Sequence, residues 1–195
     1  MKNYRIKEIM AKSYLESLLK ENDFDMIESA KKYKIDVKII DTLFPYDKER
    51  NQYELLKIFY NDIGENVLTK FYNEIIDEDI SFYEKILEAF FILFELLYKY
   101  KKGLIYLSTS FNKKFRNLIA LNNLNHEFMF KLLKICGDQD NFFKLNLKAL
   151  ILNIIYLKNL NLFLSSKDIT LETIMKNLDR DLKNTFNSNF LFNNT

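Results

Sequence analysis

The chain has 195 residues and a formal net charge of +2, and 48% of its residues are hydrophobic. This length fits one domain with a sizeable core, and the near-neutral charge gives no general argument for nucleic-acid binding. One proline and three glycines are too few for the many turns of an all-β fold. The single cysteine, Cys136, excludes an internal disulfide and predicts a reducing compartment. The composition therefore predicts long helices joined by short polar loops.

The first segment predicts three short helices. Apolar side chains at helical spacing predict a helix over residues 3–21, with no apolar signal core in its first turns. Asp25 predicts the N-cap of a second helix, because acids at this position accept hydrogen bonds from free backbone N–H groups. Asp36 caps a third helix in the same way, and Pro45 ends it. The short connection before Asp36 predicts a helix-turn-helix-like head over residues 1–46.

The middle of the chain predicts four more helices. Apolar residues at four-residue spacing indicate a long fourth helix, and the acids of residues 77–79 are expected at the start of the fifth, where they favour the helix N-terminus. Gly103 is expected to end the fifth helix. The predicted ranges are 48–76, 80–100, 109–121 and 125–136.

The segment after Cys136 is the most apolar of the chain. Gly137 and Asp138 are expected to open an eighth helix that runs to Leu164 and is apolar on all sides. Several lysines and asparagines interrupt it, which argues against a membrane span. A last amphipathic helix follows over residues 170–186. The apolar surface of the eighth helix exceeds what one small core needs and suits a lipid ligand or a dimer partner. The predicted organisation is thus a head, a helical lipid-binding and dimerisation domain over 47–186, and a frayed tail over 187–195.

The sequence offers no residues for catalysis. His126 is the only histidine and Cys136 the only cysteine, so a His/Cys zinc site and a paired Glu-x-x-His di-iron site are excluded. His126 is expected on the surface at a helix start. The three glycines are isolated, so there is no glycine-rich phosphate loop. We therefore expect a protein that is not an enzyme and needs no cofactor.

The order of elements resembles the TetR repressor architecture, an all-α helical bundle with an N-terminal helix-turn-helix head and a helical ligand and dimerisation domain. The head is also similar to that of the coenzyme Q nine family at Phe24-Asp25, Ala30, Ile35-Asp36 and Leu43-Phe44-Pro45. A second match to that family comprises Gly137, Asp138, Phe143, Lys148, Leu152, Tyr156 and Leu160, followed by Leu178-Asp179-Arg180.

The resemblance implies a lipid-binding accessory factor of ubiquinone biosynthesis. Such a protein presents an isoprenoid precursor from the membrane to a hydroxylase of the pathway. It implies a homodimer that is cytoplasmic and peripherally associated with the inner membrane. It also implies a docking patch for the hydroxylase at Asp138, Leu145, Asn146 and Lys148. At this patch the Trp-Tyr pair of the family is replaced by Leu145 and Asn146.

Two interpretations of the eighth helix stay open. In the first, it lines an isoprenoid pocket together with the fifth helix, since an apolar pocket with few polar groups suits a polyprenyl tail. In the second, it forms plain core and a dimer face, because bulky apolar residues more often fill interiors than line cavities. The candidate lipid-binding residues are Phe90, Phe91, Phe94, Leu97, Ile151 and Ile155.

Residues 96–126 contain no acid and are rich in tyrosine and phenylalanine. Such a basic and aromatic segment is typical of contact with an anionic membrane surface, although lysines at solvated helix ends give the same pattern. The candidate membrane-contact residues are Lys99, Lys101, Lys102, Lys113, Lys114 and Arg116.

The alternative function is a TetR-type ligand-sensing repressor. A recognition helix should present basic and amide side chains to DNA, because phosphate contacts dominate affinity. The third helix offers one cation, Lys38, beside the acids Asp36 and Asp41. Nucleic acid is therefore not expected as a partner.

Overall fold

A computed structural model describes residues 2–20, 24–75, 79–110, 122–188 and 191–192. Within these ranges all regular structure is α-helical and no strand is present. This confirms the all-α prediction. The helices of the described ranges are α1 (Lys2–Leu19), α2 (Met26–Lys32), α3 (Val37–Leu43), α4 (Lys48–Glu74), α5 (Phe82–Tyr98), α6 (Lys101–Ser110), α7 (Asn122–Ile135), α8 (Phe142–Ser165) and α9 (Leu171–Ser188).

The chain divides into two compact units by its internal contacts. The first unit comprises Met1–Asp62 and Tyr100–Asn117, and the second comprises Ile63–Lys99 and Leu118–Thr195. Helix α4 contributes to both units. The domain boundaries predicted at residues 46 and 186 stay predictions.

In the first unit, α1 packs against α2 and α6, and α2 packs against α3. The predicted caps of the short helices are present. The Asp25 carboxylate accepts hydrogen bonds from the backbone N–H groups of Ile27 and Glu28 at 2.8 and 2.9 Å. The Asp36 carboxylate accepts one from the N–H of Lys38 at 2.9 Å. These local interactions define where α2 and α3 begin.

Two predicted features around α5 are wrong. Gly103 does not end this helix but lies inside α6, where a Cβ atom would come within 3.2 Å of the Cβ atom of Leu18 in α1. The close approach of α1 and α6 therefore leaves little room for a side chain at this position, which favours glycine. The N-cap of α5 is Ser81, which forms a capping box with Glu84, rather than the predicted acids at 77–79. Of those acids, residues 77 and 78 lie outside the described part.

In the second unit, α8 packs against α7 and α9, while α5 packs against α9 and α7. One helix within the described ranges, α8, is long and apolar enough to cross a membrane. However, more than half of its most apolar stretch is buried inside the protein, and a core helix meets the same criteria of length and composition. The arrangement is that of a central core helix.

The corner between α7 and α8 differs from the prediction. Gly137 ends α7 instead of opening α8, and its backbone has a φ of +92°, in the left-handed region that favours glycine. The N–H groups of Gly137 and Asp138 bond to the carbonyls of Lys134 and Leu133, which is a Schellman ending. Helix α8 begins four residues after Asp138 at Phe142, with Asn141 as its N-cap.

Candidate functional site

The predicted lipid-binding residues of α5 and α8 lie in a packed aromatic core. Phe90, Phe94, Leu97 and Ile155 are buried, whereas Phe91 and Ile151 are half-buried. Tyr156 of α8 occupies the space beside two of them, with ring centroids 6.5 Å from Phe90 and 5.8 Å from Phe94.

Farther along the same contact, the ring of Phe163 lies 5.6 Å from that of Phe94. These distances are those of interlocked aromatic pairs. The space beside Phe90 and Phe94 is thus filled by the rings of Tyr156 and Phe163. The predicted role of the six residues in holding a lipid stays a prediction, and the four buried ones contribute to the core.

An open groove lies elsewhere in the same unit, between α4 and α7. Its volume is about 540 Å³, and most of its surface is apolar. The residues that line it are Glu65, Leu68, Thr69, Tyr72, Asn73, Phe130, Lys131, Lys134 and Ile135. This volume is within the range of small-molecule sites, roughly 300 to 1,000 Å³. We refer to this feature as the α4–α7 groove.

The groove is positioned by contacts at one end of the helix pair. Gly64 of α4 allows close approach, because a Cβ atom there would lie 3.3 Å from the ring of Phe128 in α7. Next to it, the Lys131 ammonium donates a hydrogen bond to the Glu65 carboxylate at 3.0 Å. Leu68 follows one turn later on α4 and is buried. The apolar surface of the groove therefore begins where this tight contact ends.

Sequence reasoning missed the groove. The exposed Tyr72 lies on α4 and Phe130 on α7, and no motif connects two such positions in the chain. A large aromatic side chain with 61% of its surface exposed is noticeable only once burial is known. The isolated Gly64 inside a helical pattern was the one local signal of a close helix approach.

The two cations of the groove have different surroundings. Lys131 forms ion pairs with Glu65 at 3.0 Å and Glu127 at 3.4 Å, and the hydrogen bond to Glu65 raises the pKa of its ammonium group. Lys134 lies 5.0 Å from the centroid of the Phe130 ring. Its ammonium has no carboxylate partner within 4.0 Å in the part of the chain that the structure describes. One uncompensated positive charge therefore borders an apolar surface.

The apolar surface continues from the groove onto the start of α8. The ring of Phe130 meets that of Phe142 edge to face at 5.7 Å. Phe142 and Phe143 are 75% and 71% exposed. Farther along α8, Leu150 and Ile154 are also exposed and share one helical face with Phe143. Exposed apolar patches of this kind are typical of sites that bind another molecule.

The predicted docking residues lie at the corner between α7 and α8, and three of the four are buried there. Lys148 has no exposed surface, and its ammonium lies 2.6 Å from the Asp138 carboxylate and 2.9 Å from that of Asp140. The hydrogen bond from Lys148 lowers the pKa of the Asp140 carboxyl. Leu145 is buried in the same region. This ion pair therefore ties the corner to α8.

Asn146 is the one residue of this predicted patch that keeps part of its surface in contact with solvent. Its side-chain oxygen lies 3.0 Å from Nε2 of His126, and its amide donates to the carbonyl of Phe142. His126, predicted at the surface, is thus half-buried and connects α7 with α8. Direct docking by the patch would depend on Asn146 and its exposed neighbours Phe142 and Phe143.

The predicted membrane-contact residues are only partly within the described ranges. Lys99 and Lys102 are exposed, whereas Lys101 is buried. The remaining candidates, which are Lys113, Lys114 and Arg116, lie outside the described residues.

Among the described residues, no three histidine, cysteine, aspartate or glutamate side chains gather as possible metal ligands. Burial raises the pKa of the Cys136 thiol to about 12. At neutral pH this thiol therefore stays protonated, which suits a structural cysteine better than a nucleophile.

No protein-family model matches the chain, and no curated protein matches it. The resemblance to the coenzyme Q nine family thus rests on the sequence motifs alone. What the structure itself defines is an all-helical protein with an apolar groove beside an exposed apolar helix face.

Proposed function

We propose that this protein is a non-catalytic lipid-binding accessory protein that presents an isoprenoid precursor of ubiquinone to a biosynthetic enzyme. The observation that carries the proposal is the α4–α7 groove, whose size and apolar surface suit a lipid chain. The lipid site is therefore assigned to this groove rather than to the packed contact between α5 and α8.

The exposed apolar residues of α8, which are Phe142, Phe143, Leu150 and Ile154, support the proposal that the protein presents its lipid to a partner. Phe142 contacts the groove residue Phe130, so a lipid in the groove would lie next to this face. The same face would receive the enzyme, a membrane surface or the second subunit of a TetR-like homodimer. A protein that works in this way is cytoplasmic and peripherally associated with the inner membrane, and the exposed Lys99 and Lys102 would favour anionic lipids.

The repressor remains the alternative function. In the structure Asp36, Lys38 and Asp41 of the third-helix region are all exposed, so acids outnumber cations on this surface. Phosphate repulsion therefore disfavours DNA binding. A specific footprint upstream of the gene that encodes this protein, at physiological salt, would favour the repressor instead.

The lipid assignment is tested by the lipids that co-purify with the native protein, measured by mass spectrometry. Thr69→Trp places a large side chain on an exposed position that lines the groove, so it should displace the lipid without disturbing the core. Thr173→Trp is the matched control, because Thr173 is an exposed threonine of α9 that does not line the groove.

We expect an isoprenoid in extracts of the wild type and of the control, and little or none in extracts of Thr69→Trp. Wild-type protein without any bound lipid would contradict the proposed function. Equal lipid content in all three proteins would contradict the assignment of the site.

A further inference from the structure

The α4–α7 groove combines an apolar surface with an uncompensated positive charge. Leu68, Tyr72, Phe130 and Ile135 supply the apolar part. Glu65 and Lys131 also line it, but they neutralise each other at 3.0 Å, and Glu127 adds a second acid to Lys131 at 3.4 Å. Two acids on one cation leave a net charge of −1 around Lys131, so an anionic group of a ligand would be repelled at this end of the groove.

Lys134 differs from Lys131 in this respect. It lies one turn farther along α7, is exposed, and contacts the Phe130 ring rather than an acid. An exposed ammonium group at the edge of an apolar surface can form an ion pair with an anionic group of a ligand whose apolar part covers that surface. The position of Lys134 next to Phe130 places this charge at the border of the apolar surface.

From this arrangement we propose that the groove binds an amphiphile with one apolar chain and an anionic head group, and that Lys134 recognises the head group. This inference rests on the proposed function, since it assumes that the groove is the lipid site. Beyond the proposed function, the ligand carries a negative charge, and Lys134 determines the specificity for it. The apolar chain contacts Leu68, Tyr72 and Ile135, and the anionic group pairs with the Lys134 ammonium.

The proposal is tested with two probes that share one chain, oleate and its uncharged methyl ester, both below their aggregation concentrations. Their dissociation constants for the full-length protein are measured by native mass spectrometry or by displacement of a fluorescent fatty-acid analogue. Lys134→Gln removes the charge and keeps a similar side-chain length. Lys176→Gln is the matched control, since Lys176 is an exposed lysine of α9 that pairs with Glu172 and does not line the groove.

We expect the wild type and Lys176→Gln to bind oleate more tightly than the ester. Lys134→Gln should weaken oleate binding by about threefold, the size typical of an exposed ion pair, and leave ester binding unchanged. The preference for oleate should also diminish as salt rises. Thr69→Trp should weaken the binding of both probes, because it fills the groove.

Equal affinity of the wild type for oleate and the ester would overturn the proposal and leave the lipid-binding function intact. A Lys134→Gln protein that binds both probes more weakly to the same degree would also overturn it, since the lysine would then act through packing. Failure of the wild type to bind either probe would overturn it as well. Together with the absence of co-purified lipid, that result would remove the proposed function too.

Discussion

Two contacts between helices of the second unit show how differently apolar side chains can be used. Between α5 and α8, the rings of Phe90, Phe94, Tyr156 and Phe163 lie within 6.5 Å of one another in successive pairs and are all buried. Between α4 and α7, the exposed Tyr72 and the ring of Phe130 border an open groove of about 540 Å³.

The difference lies in what surrounds the apolar groups. Large rings on both faces of a contact interlock and exclude voids, because interiors pack at nearly crystalline density. In the groove, ion-paired and polar residues alternate with the apolar ones along α4, so fewer apolar side chains face each other. A stretch rich in aromatic residues is therefore a better predictor of filled core than of a cavity.

The largest expected effect is a difference in stability between a substitution in the α5–α8 contact and one in the α4–α7 groove. Phe94→Ala should lower the free energy of unfolding by about 3–5 kcal/mol, because it removes a fully buried ring and leaves a cavity. Tyr72→Ala in the groove should cost only about 0.5 kcal/mol, since this side chain is already largely exposed. Urea denaturation measures both. A Tyr72→Ala cost similar to that of Phe94→Ala would mean that the groove is a closed part of the core.

The next effect concerns the corner that joins α7, one wall of the groove, to α8. Lys148→Met should cost about 3 kcal/mol, because Asp138 would keep a buried charge without its partner. Lys176→Met is the control, and breaking its exposed pair with Glu172 should cost about 0.5 kcal/mol or less. Urea denaturation of both variants provides the comparison.

The same substitution should also change the response to acid. The ion pair with Lys148 lowers the pKa of Asp140, so its contribution to stability is present above the ordinary aspartate pKa and is lost as pH falls through the lowered value. Lys148→Met should therefore lose less stability than the wild type as pH is lowered through this range. An unchanged acid dependence would show that the pair contributes little to folding.

The smallest effect should come from the backbone at the same corner. Gly137→Ala should cost about 1 kcal/mol, because a Cβ atom is disfavoured at a φ of +92°, although no neighbouring atom would clash with it. Gly137→Asn should cost less, since asparagine tolerates this conformation better. Thermal denaturation distinguishes the two. If Gly137→Ala were as stable as the wild type, the corner would have to adopt another conformation without loss.

Local sequence signals predicted the helices and their starts where the interaction itself is local. Asp25 and Asp36 cap their helices through N–H groups two or three residues away, so their roles could be read from the chain. Gly103 and Gly137 were misassigned for opposite reasons. Gly103 is required by Leu18 of another helix, whereas Gly137 belongs to the end of α7 and was assigned to the start of α8.

The sequence by itself thus determined that this protein is all-helical, where most of its helices lie, and that α8 is its most apolar helix. Only the tertiary structure decided that Lys148 forms a buried ion pair with Asp138 and that the rings of α5 and α8 pack against each other without a cavity. It also decided that Leu68, Tyr72 and Phe130 line a groove. Periodicity reports which side of a helix is apolar, because it depends on neighbours along the chain. Whether two apolar faces close on each other or leave a groove depends on the sizes and positions of side chains that are distant in sequence.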